Sequence, residues 1–245
     1  MSESSPITYF PGDDEEMLEA NFLARKSFRD FWYQVSLDFN RIVPALSLAV
    51  VKAAFSDDFS DPNSPVEHMF VEGIDFDGQI IKGTLLNQPN ALTSISEGDE
   101  VCLPLEQLGD WLCVMGDTVY GAYTVQVIRS RMSEAERVAH DEAWGLPFPS
   151  PEKVLIPKHD ETMERNLAGM LDEQIAEDSE FLTRTLEEGR TMLHLQALNG
   201  RNLIVKKLLE LGASPTVRCD RGWTPVDYAQ CLGWHDVVRT LKAAK

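Results

Sequence analysis

Two segments near the C-terminal end of the sequence repeat the same residues 33 positions apart. The matched pairs are Gly189 and Gly222, Thr191 and Thr224, and Gly200 and Gly233. Apolar residues follow the second glycine of each copy, at 204, 205, 208 and 209 in the first and at 237, 238 and 241 in the second. A fixed period of this length is typical of stacked helical repeats, in which each unit buries its apolar face against its neighbour. The sequence therefore predicts an all-helical region over 189–245.

The order of residues within each copy resembles the ankyrin repeat. Its Thr-Pro-Leu-His element is present in imperfect form as 191–194 and again as 224–227. Met192 stands where the family has Pro, Gln196 where it has Ala, and Asp227 where it has His. The resemblance implies short paired helices and a surface that binds other proteins.

Two repeats are too few to bury a continuous core alone, since about three are needed. Predicted helices at 161–176 and 179–188 precede the repeats, so we expect them to cap the stack. We expect the N-terminal region to cover the rest.

Two tryptophans of the repeats, with arginine neighbours, have the composition of a partner-binding hot spot. They are Trp223 and Trp234, and the arginines are Arg221 and Arg201. The prediction is that these side chains are exposed and contact a partner. The alternative is that one or both tryptophans pack against the N-terminal region.

The first 150 residues have the pattern of an antiparallel sheet with flanking helices. Apolar residues at three- and four-residue intervals predict a helix over 19–40, after a polar lead-in at 1–18. Ser133 followed by Glu136 predicts a capped helix over 133–143. The predicted strands are 48–55, 66–74, 79–86, 101–105, 111–115 and 119–129. Turn residues at 75–78 join the second and third strands into a hairpin.

The predicted fold class is α+β, because runs of neighbouring strands give way to a wholly helical pattern. A proline-rich segment at 147–157 marks the boundary. The expected divisions are a sheet domain at 1–150, a linker with capping helices at 151–188, and the repeats at 189–245.

Charge is unevenly distributed along the chain, whose net formal charge is −18. Residues 1–150 contribute −16, residues 151–188 contribute −7, and residues 189–245 contribute +5. A protein this acidic repels the phosphate backbone of nucleic acids, which argues against direct nucleic-acid binding. It attracts a basic protein and raises the rate at which the two associate. The alternative is that the acidity only aids solubility.

Several classes of protein are not expected from the sequence. The longest apolar stretch, 46–55, is interrupted by Ser47 and Lys52 and is too short to span a membrane. The N-terminus lacks a secretory signal pattern. Four cysteines without metal-ligand spacing favour reduced thiols in a cytoplasmic protein. We expect a monomer with no metal and no cofactor.

An enzyme is not expected either. Glu67 and His68 are adjacent in a predicted strand, so they point to opposite faces of the sheet, one exposed and the other hydrogen-bonded inside. The run 140–142 combines His, Asp and Glu, but consecutive helical residues do not converge on a metal. There is no nucleophile elbow and no phosphate-binding loop. Glu67 and Asp110 are predicted instead to contact a partner.

Several motifs of the sheet region together resemble the YegJ-like bacterial family, whose function is unknown. The motifs include Phe28 with Phe31-Trp32, Val66–Val71, Gly83–Pro89, Tyr120–Thr124 and Asp141–Gly145, in a match from Phe22 to Phe148. The family name implies no reaction.

An acidic domain of this kind followed by ankyrin repeats resembles immunity proteins, which neutralise antibacterial effectors made by the same cell. This architecture implies a basic partner, such as a nuclease toxin delivered by type VI secretion. The alternatives are a cytoplasmic adaptor without a toxin partner, and a regulatory protein that senses a small ligand.

Overall fold

The computed structural model describes residues 14–178 and 180–244, which form a six-stranded antiparallel sheet with helices and then a helical region. The α+β prediction is confirmed. The strands are β1 (Leu46–Phe55), β2 (Glu67–Phe76), β3 (Ile80–Leu85), β4 (Glu100–Pro104), β5 (Leu108–Met115) and β6 (Thr118–Gly121). The helices are α1 (Glu15–Asp38), α2 (Tyr123–Ser130), α3 (Glu134–Trp144), α4 (Glu161–Glu177), α5 (Met192–Leu198), α6 (Asn202–Glu210), α7 (Pro225–Cys231) and α8 (His235–Ala243).

Neighbouring strands of the sheet are antiparallel throughout, in the order β4-β3-β2-β1-β5-β6. The predicted hairpin is confirmed as β2–β3, but β2 continues to Phe76, past the predicted end at Ile74. Phe76 is buried and packs edge-on against Phe28 of α1, with ring centroids 5.3 Å apart. Its burial keeps the backbone extended into the first half of the predicted turn.

Helix α1 covers one face of the sheet. It begins at Glu15 rather than at the predicted Glu19, because the Asp14 carboxylate accepts a hydrogen bond from the Met17 amide and caps the helix. Ala24 of α1 is fully buried, and its small side chain lets the helix approach β5 closely. The indole of Trp111 on β5 donates to the Ala24 carbonyl oxygen. This face of the sheet therefore holds the main core.

The opposite face of the sheet holds a smaller apolar cluster under α2. Its buried members are Val50, Leu112, Val114, Val119, Ala122 and Val125. Helix α3 borders this face and begins with the predicted capping box, in which Ser133 and Glu136 bond reciprocally. Its Asp141 carboxylate forms an ion pair with Arg129 of α2 at 2.6 Å.

The single strand predicted over 119–129 is wrong. Strand β6 ends at Gly121, and Ala122 adopts a left-handed conformation with φ of 61° before α2 begins. The Asp110 carboxylate of β5 accepts the backbone N–H groups of Tyr123 and Thr124, the first residues of that helix. A distant carboxylate thus caps the helix, and the local run of β-branched residues does not reveal it.

The helix predicted over 179–188 is also wrong. Its first residue, Ser179, lies outside the described residues, as do residues 1–13 of the predicted lead-in. The remainder forms turns around the buried Phe181 and a short 3₁₀ turn at Glu187–Gly189. Thr183 and Thr185 lower the helix propensity of the segment. The other predicted helix is confirmed as α4.

Each repeat begins with a capping box of its own. The backbone N–H of Thr191 donates to His194 Nδ1 (3.0 Å), and that of Thr224 donates to Asp227 Oδ2 (2.7 Å). The Asp in place of His in the second copy therefore keeps the acceptor that the cap needs. Nδ1 of His194 accepts, so Nε2 carries the proton, and its contacts to the carbonyl oxygens of Val217 and Trp223 join the two repeats.

Candidate partner-binding site

Trp234 is buried, with 7% of its surface exposed, so the prediction that it is exposed is wrong. It lies against α1, where the Arg29 guanidinium sits 5.5 Å from its ring centroid and Tyr33 is close by. Its indole N–H donates to the Leu198 carbonyl oxygen (2.9 Å). The alternative, that a tryptophan of the repeats packs against the N-terminal region, is correct for Trp234.

Trp223 is half-buried and faces the turn between β2 and β3. Its ring packs edge-on against Tyr228, with centroids 5.2 Å apart. A side chain added at Gly78 in that turn would lie 3.3 Å from both rings. Most of the Trp223 ring therefore contacts other residues of the same chain.

Arg221 is partnered within the chain. One of its amino groups contacts the carboxylates of Asp77 (2.6 Å) and Glu188 (2.9 Å). Burial of Asp77 opposes its ionisation, but Arg221 and the amide groups at the turn outweigh burial and lower the pKa of Asp77 to about 2. The positive charge of the repeats is thus partly matched by the acidic sheet domain of the same chain.

Arg201 is 1% exposed, so the prediction that it is exposed is wrong as well. It donates to Ser36 of α1 (3.3 Å) and to Gln196 (3.4 Å). Burial lowers the pKa of Arg201 to about 10, while Tyr33 and Glu164 partly oppose this by favouring its charged form. Glu164 of α4 accepts from the Leu203 amide, so α4 is fastened to α6 at this point.

Glu67 and Asp110 also point inward, which corrects their assignment as partner contacts. Glu67 accepts the amide groups of residues 90–92 and holds the loop between β3 and β4, while His68 beside it is exposed. Asp110 is 2% exposed and accepts from Thr124 through both its amide and its hydroxyl group. Each carboxylate stabilises a distant backbone segment rather than a surface.

We define the joint as the contact between the repeats and the sheet domain made by α1 and the β2–β3 turn. The Trp32 indole donates to Asn199 Oδ1 (3.0 Å), and Arg29 donates to the Gly233 carbonyl oxygen (3.1 Å). One continuous apolar core includes residues of both regions. The expectation that a preceding helix and the N-terminal region cover the short stack is confirmed, since α4 and α1 both pack against it.

A cleft of about 430 Å³ lies beside the first turns of α1. Its apolar lining includes Leu23, Val127 and Val154. Its rim is acidic and includes Glu15, Glu16, Glu19 and Glu152. Glu16 pairs with Arg131, whereas the ion pairs within residues 14–178 and 180–244 include neither Glu15 nor Glu19. The cleft is therefore an apolar hollow bordered by negative charge.

The outer face of α1 beside the cleft carries an exposed stripe of alternating character. Glu15, Leu18, Glu19 and Phe22 follow the i, i+3, i+4, i+7 spacing of one helix face. Leu18 is 52% exposed and Phe22 is 53% exposed. Large apolar side chains left in water next to a cleft are typical of an interaction surface. Together, the stripe and the cleft form what we call the acidic surface.

The residue assignments from sequence did not include the acidic surface. A local signal was available, since Asp14 followed by Glu15 and Glu16 has the pattern of a helix start. Starting the helix there would have placed Leu18 and Phe22 on its solvent-facing stripe.

In the part of the chain that the structure describes, no group of three or more His, Cys, Asp or Glu side chains is arranged to hold a metal ion. No helix within the same residues is long and apolar enough to cross a membrane.

Comparisons with known proteins match both regions of the chain. Residues 14–148 match the family described as an uncharacterized protein conserved in bacteria (DUF2314), and residues 178–229 match ankyrin repeats. A protein of Neisseria meningitidis serogroup B, named as an ankyrin repeat protein, is 36% identical over 99% of this chain and 99% of its own length. The uncharacterized protein YegJ of Escherichia coli K12 is 28% identical over 31% of this chain and 46% of its own length. No solved structure matches significantly.

These matches confirm the resemblance to YegJ and to ankyrin repeats. The ankyrin repeats indicate a role in protein interaction. Much of the surface that the repeats turn towards α1 is already buried in the joint.

Proposed function

This chain belongs to the DUF2314 family of bacterial proteins, and from that premise we propose that it acts by capturing a basic protein rather than by catalysis. The observation that carries the proposal is its charge. The net charge is −18, to which residues 1–150 contribute −16 and residues 151–188 contribute −7. Such a field attracts a cationic partner over several ångströms and raises the association rate.

The buried titratable groups support a binding role. Asp110 and Glu67 are occupied with backbone amide groups, and His194 joins the two repeats. Groups committed in this way are part of the scaffold.

The partner that best suits this chemistry is a toxin whose own target is anionic. We propose that the chain is an immunity protein of the cytoplasm whose partner is an antibacterial effector, such as a type VI secretion nuclease. A nuclease needs a basic surface to hold its phosphate backbone. An acidic protein that covers this surface would block the toxin, and rapid capture would protect the cell that makes it.

A pull-down followed by a growth assay tests the proposal. The tagged chain is used to capture proteins from its native cell at low salt, and captured proteins are identified by mass spectrometry. We expect one stoichiometric partner of basic charge. Co-expression with this chain should then rescue cells that the partner otherwise kills. Capture of an acidic or neutral partner, or no rescue by co-expression, would contradict the immunity function.

The dependence of the association rate on ionic strength distinguishes an immunity protein from a general adaptor. Capture of a basic toxin should slow markedly between about 0.05 and 0.5 M salt, because the Debye length falls to a few ångströms. An adaptor that relies on apolar contact should associate at nearly the same rate in both buffers. Stopped-flow mixing with the purified partner makes the measurement.

A further inference from the structure

We propose that the acidic surface is the docking site and that it takes a lysine- or arginine-rich amphipathic segment of the partner. This inference rests on the proposed function and deepens it. It names the part of the chain that makes the main contact and the chemistry that the partner must present.

The shape and composition of the cleft fit such a segment. The cleft is open to solvent, and its volume of about 430 Å³ is large enough to receive several side chains of a partner. Tyr123, Val127 and Val154 line its interior, and carboxylates border its mouth. An apolar side chain of the partner would be buried in the hollow while its basic neighbours reach the rim.

The stripe of α1 extends the same chemistry beyond the cleft. Leu18 and Phe22 offer apolar contact to the long stems of lysine or arginine, and Glu15 and Glu19 lie one turn or less away to receive their charged ends. Neither carboxylate forms an ion pair within the described part of the chain, where Arg131 pairs with Asp14 and Glu16. A cation placed beside Glu15 and Glu19 would break no ion pair among the described residues.

The charge of the molecule selects the occupant. A second copy of this chain carries the same excess of acid and is repelled. A nucleic acid is repelled for the same reason. The side chains of Ile42 and Val43 are 102% and 77% exposed, more than Leu18 and Phe22, but they do not line the cleft. They therefore serve as a matched control for exposed apolar side chains.

A binding assay with a defined probe tests the charge requirement. The probe is a fluorescent 15-residue peptide of lysine and leucine with helical spacing, and the same peptide with glutamate in place of lysine is its control. Fluorescence anisotropy measures Kd at low salt for the full-length chain. We compare the triple substitution Glu15→Gln, Glu19→Gln, Glu152→Gln with Glu97→Gln, Glu100→Gln, Glu106→Gln, three exposed carboxylates at or beside the β4 edge.

The cleft substitutions should weaken lysine-peptide binding about tenfold, and the edge substitutions less than about twofold, since each exposed ion pair contributes only modestly. Equal losses in both variants would mean unspecific attraction to acid and would overturn the proposal. Absence of binding by the wild-type chain would overturn it too. Thermal melting checks that each variant folds, and Glu152→Gln alone, which lies outside α1, separates rim charge from helix stability.

The apolar requirement has its own pair of variants. Leu18→Ser with Phe22→Ser should weaken the same peptide several-fold, whereas Ile42→Ser with Val43→Ser should leave its Kd unchanged. Sedimentation of the wild-type chain as a dimer that Phe22→Ser dissociates would assign the surface to a second copy and refute the proposal.

Capture of the native partner completes the test, and its outcome distinguishes failure of the docking site from failure of the proposed function. If the wild-type chain captures a basic partner and the cleft variant captures as much, this inference fails and the proposed function stands. If the wild-type chain captures no basic partner, the proposed function itself fails. Loss of capture in the cleft variant alone supports both.

Discussion

The buried carboxylates of the sheet domain and the capping boxes of the repeats satisfy backbone amide groups over different distances along the chain. In the sheet domain, Asp110 accepts amide groups 13 and 14 residues away, and Glu67 accepts amide groups 23 to 25 residues away. In the repeats, Thr191 and Thr224 bond to acceptors three residues away. The joint spans 167 residues between Trp32 and Asn199.

This difference has a physical meaning. A bond across three residues closes a short loop and forms with its helix, so a short motif encodes it. A bond across many residues forms only when the fold brings two segments together, and its buried carboxylate is costly if the partners are absent. We therefore expect loss of stability to rise with the distance that a contact spans.

The largest effect is expected at the joint. Trp234→Ala should lower the free energy of unfolding by about 4 kcal/mol, because it removes a buried indole that contacts α1 and also its hydrogen bond to Leu198. Urea denaturation of the whole chain measures the loss. Trp144→Ala, at a side chain that is 37% exposed, is the control and should cost less. If both substitutions lowered the free energy of unfolding equally, the loss of stability would not depend on the distance along the chain that a contact spans.

A somewhat smaller effect is expected at the buried carboxylate of the sheet domain. Asp110→Ala should cost about 3 kcal/mol, because the amide groups of Tyr123 and Thr124 lose their acceptor in a buried place. Circular dichroism in urea gives the change. Asp117→Ala, in the exposed turn between β5 and β6, should lie within about 0.5 kcal/mol of wild type. A cost below 1 kcal/mol for Asp110→Ala would show that distance along the chain is not the deciding variable.

The local caps of the repeats should matter less. Thr224→Ala removes the side-chain half of one capping box and should cost about 1 kcal/mol. Thr185→Ala, at an exposed position before the repeats, is the control and should cost almost nothing. The same urea titration compares them. If Thr224→Ala lowered the free energy of unfolding as much as Asp110→Ala does, local and distant contacts would contribute equally to stability.

The smallest effect is a dependence on pH within the repeats. Burial lowers the pKa of His194 below its usual 6.5, and the hydrogen bonds to the carbonyl oxygens of Trp223 and Val217 oppose this shift only in part. The folded state then binds fewer protons than the unfolded state. The contribution of His194 is complete above pH 6.5 and is lost as the pH falls through its lower folded pKa.

Urea midpoints at pH 7.5 and pH 5.5 measure this loss, which we expect to be at most about 1 kcal/mol. His194→Gln should remove that part of the pH dependence, whereas the control His235→Gln, at an exposed residue, should leave it unchanged. An identical pH profile for wild type and His194→Gln would show that His194 does not titrate in this range.

Local patterns predicted most elements of the fold. The 33-residue period identified α5 to α8, and the capping pattern identified α3, because these features depend on neighbours along the chain. The strand predicted over 119–129 failed where a distant group decides the structure. Nothing in that run indicates that Asp110 accepts its amide groups and begins a helix.

The candidate site was harder to predict for a related reason. Buried aromatic and arginine side chains have the same composition in a contact inside a chain as in a contact with a partner. Trp234 and Arg201 therefore suggested an external partner, although they face α1. Only the fold distinguishes the two cases.

The distance between the two sides of the joint also affects synthesis. Arg29 of α1 contacts Gly233, 204 residues later. At about 5–20 residues per second, a ribosome needs roughly 10–40 s to add this stretch. During that interval the side of α1 that carries Trp32 and Tyr33 has no repeats to cover it. A nascent chain stalled before α8 would keep these aromatic rings uncovered and so become a target for chaperones and proteases.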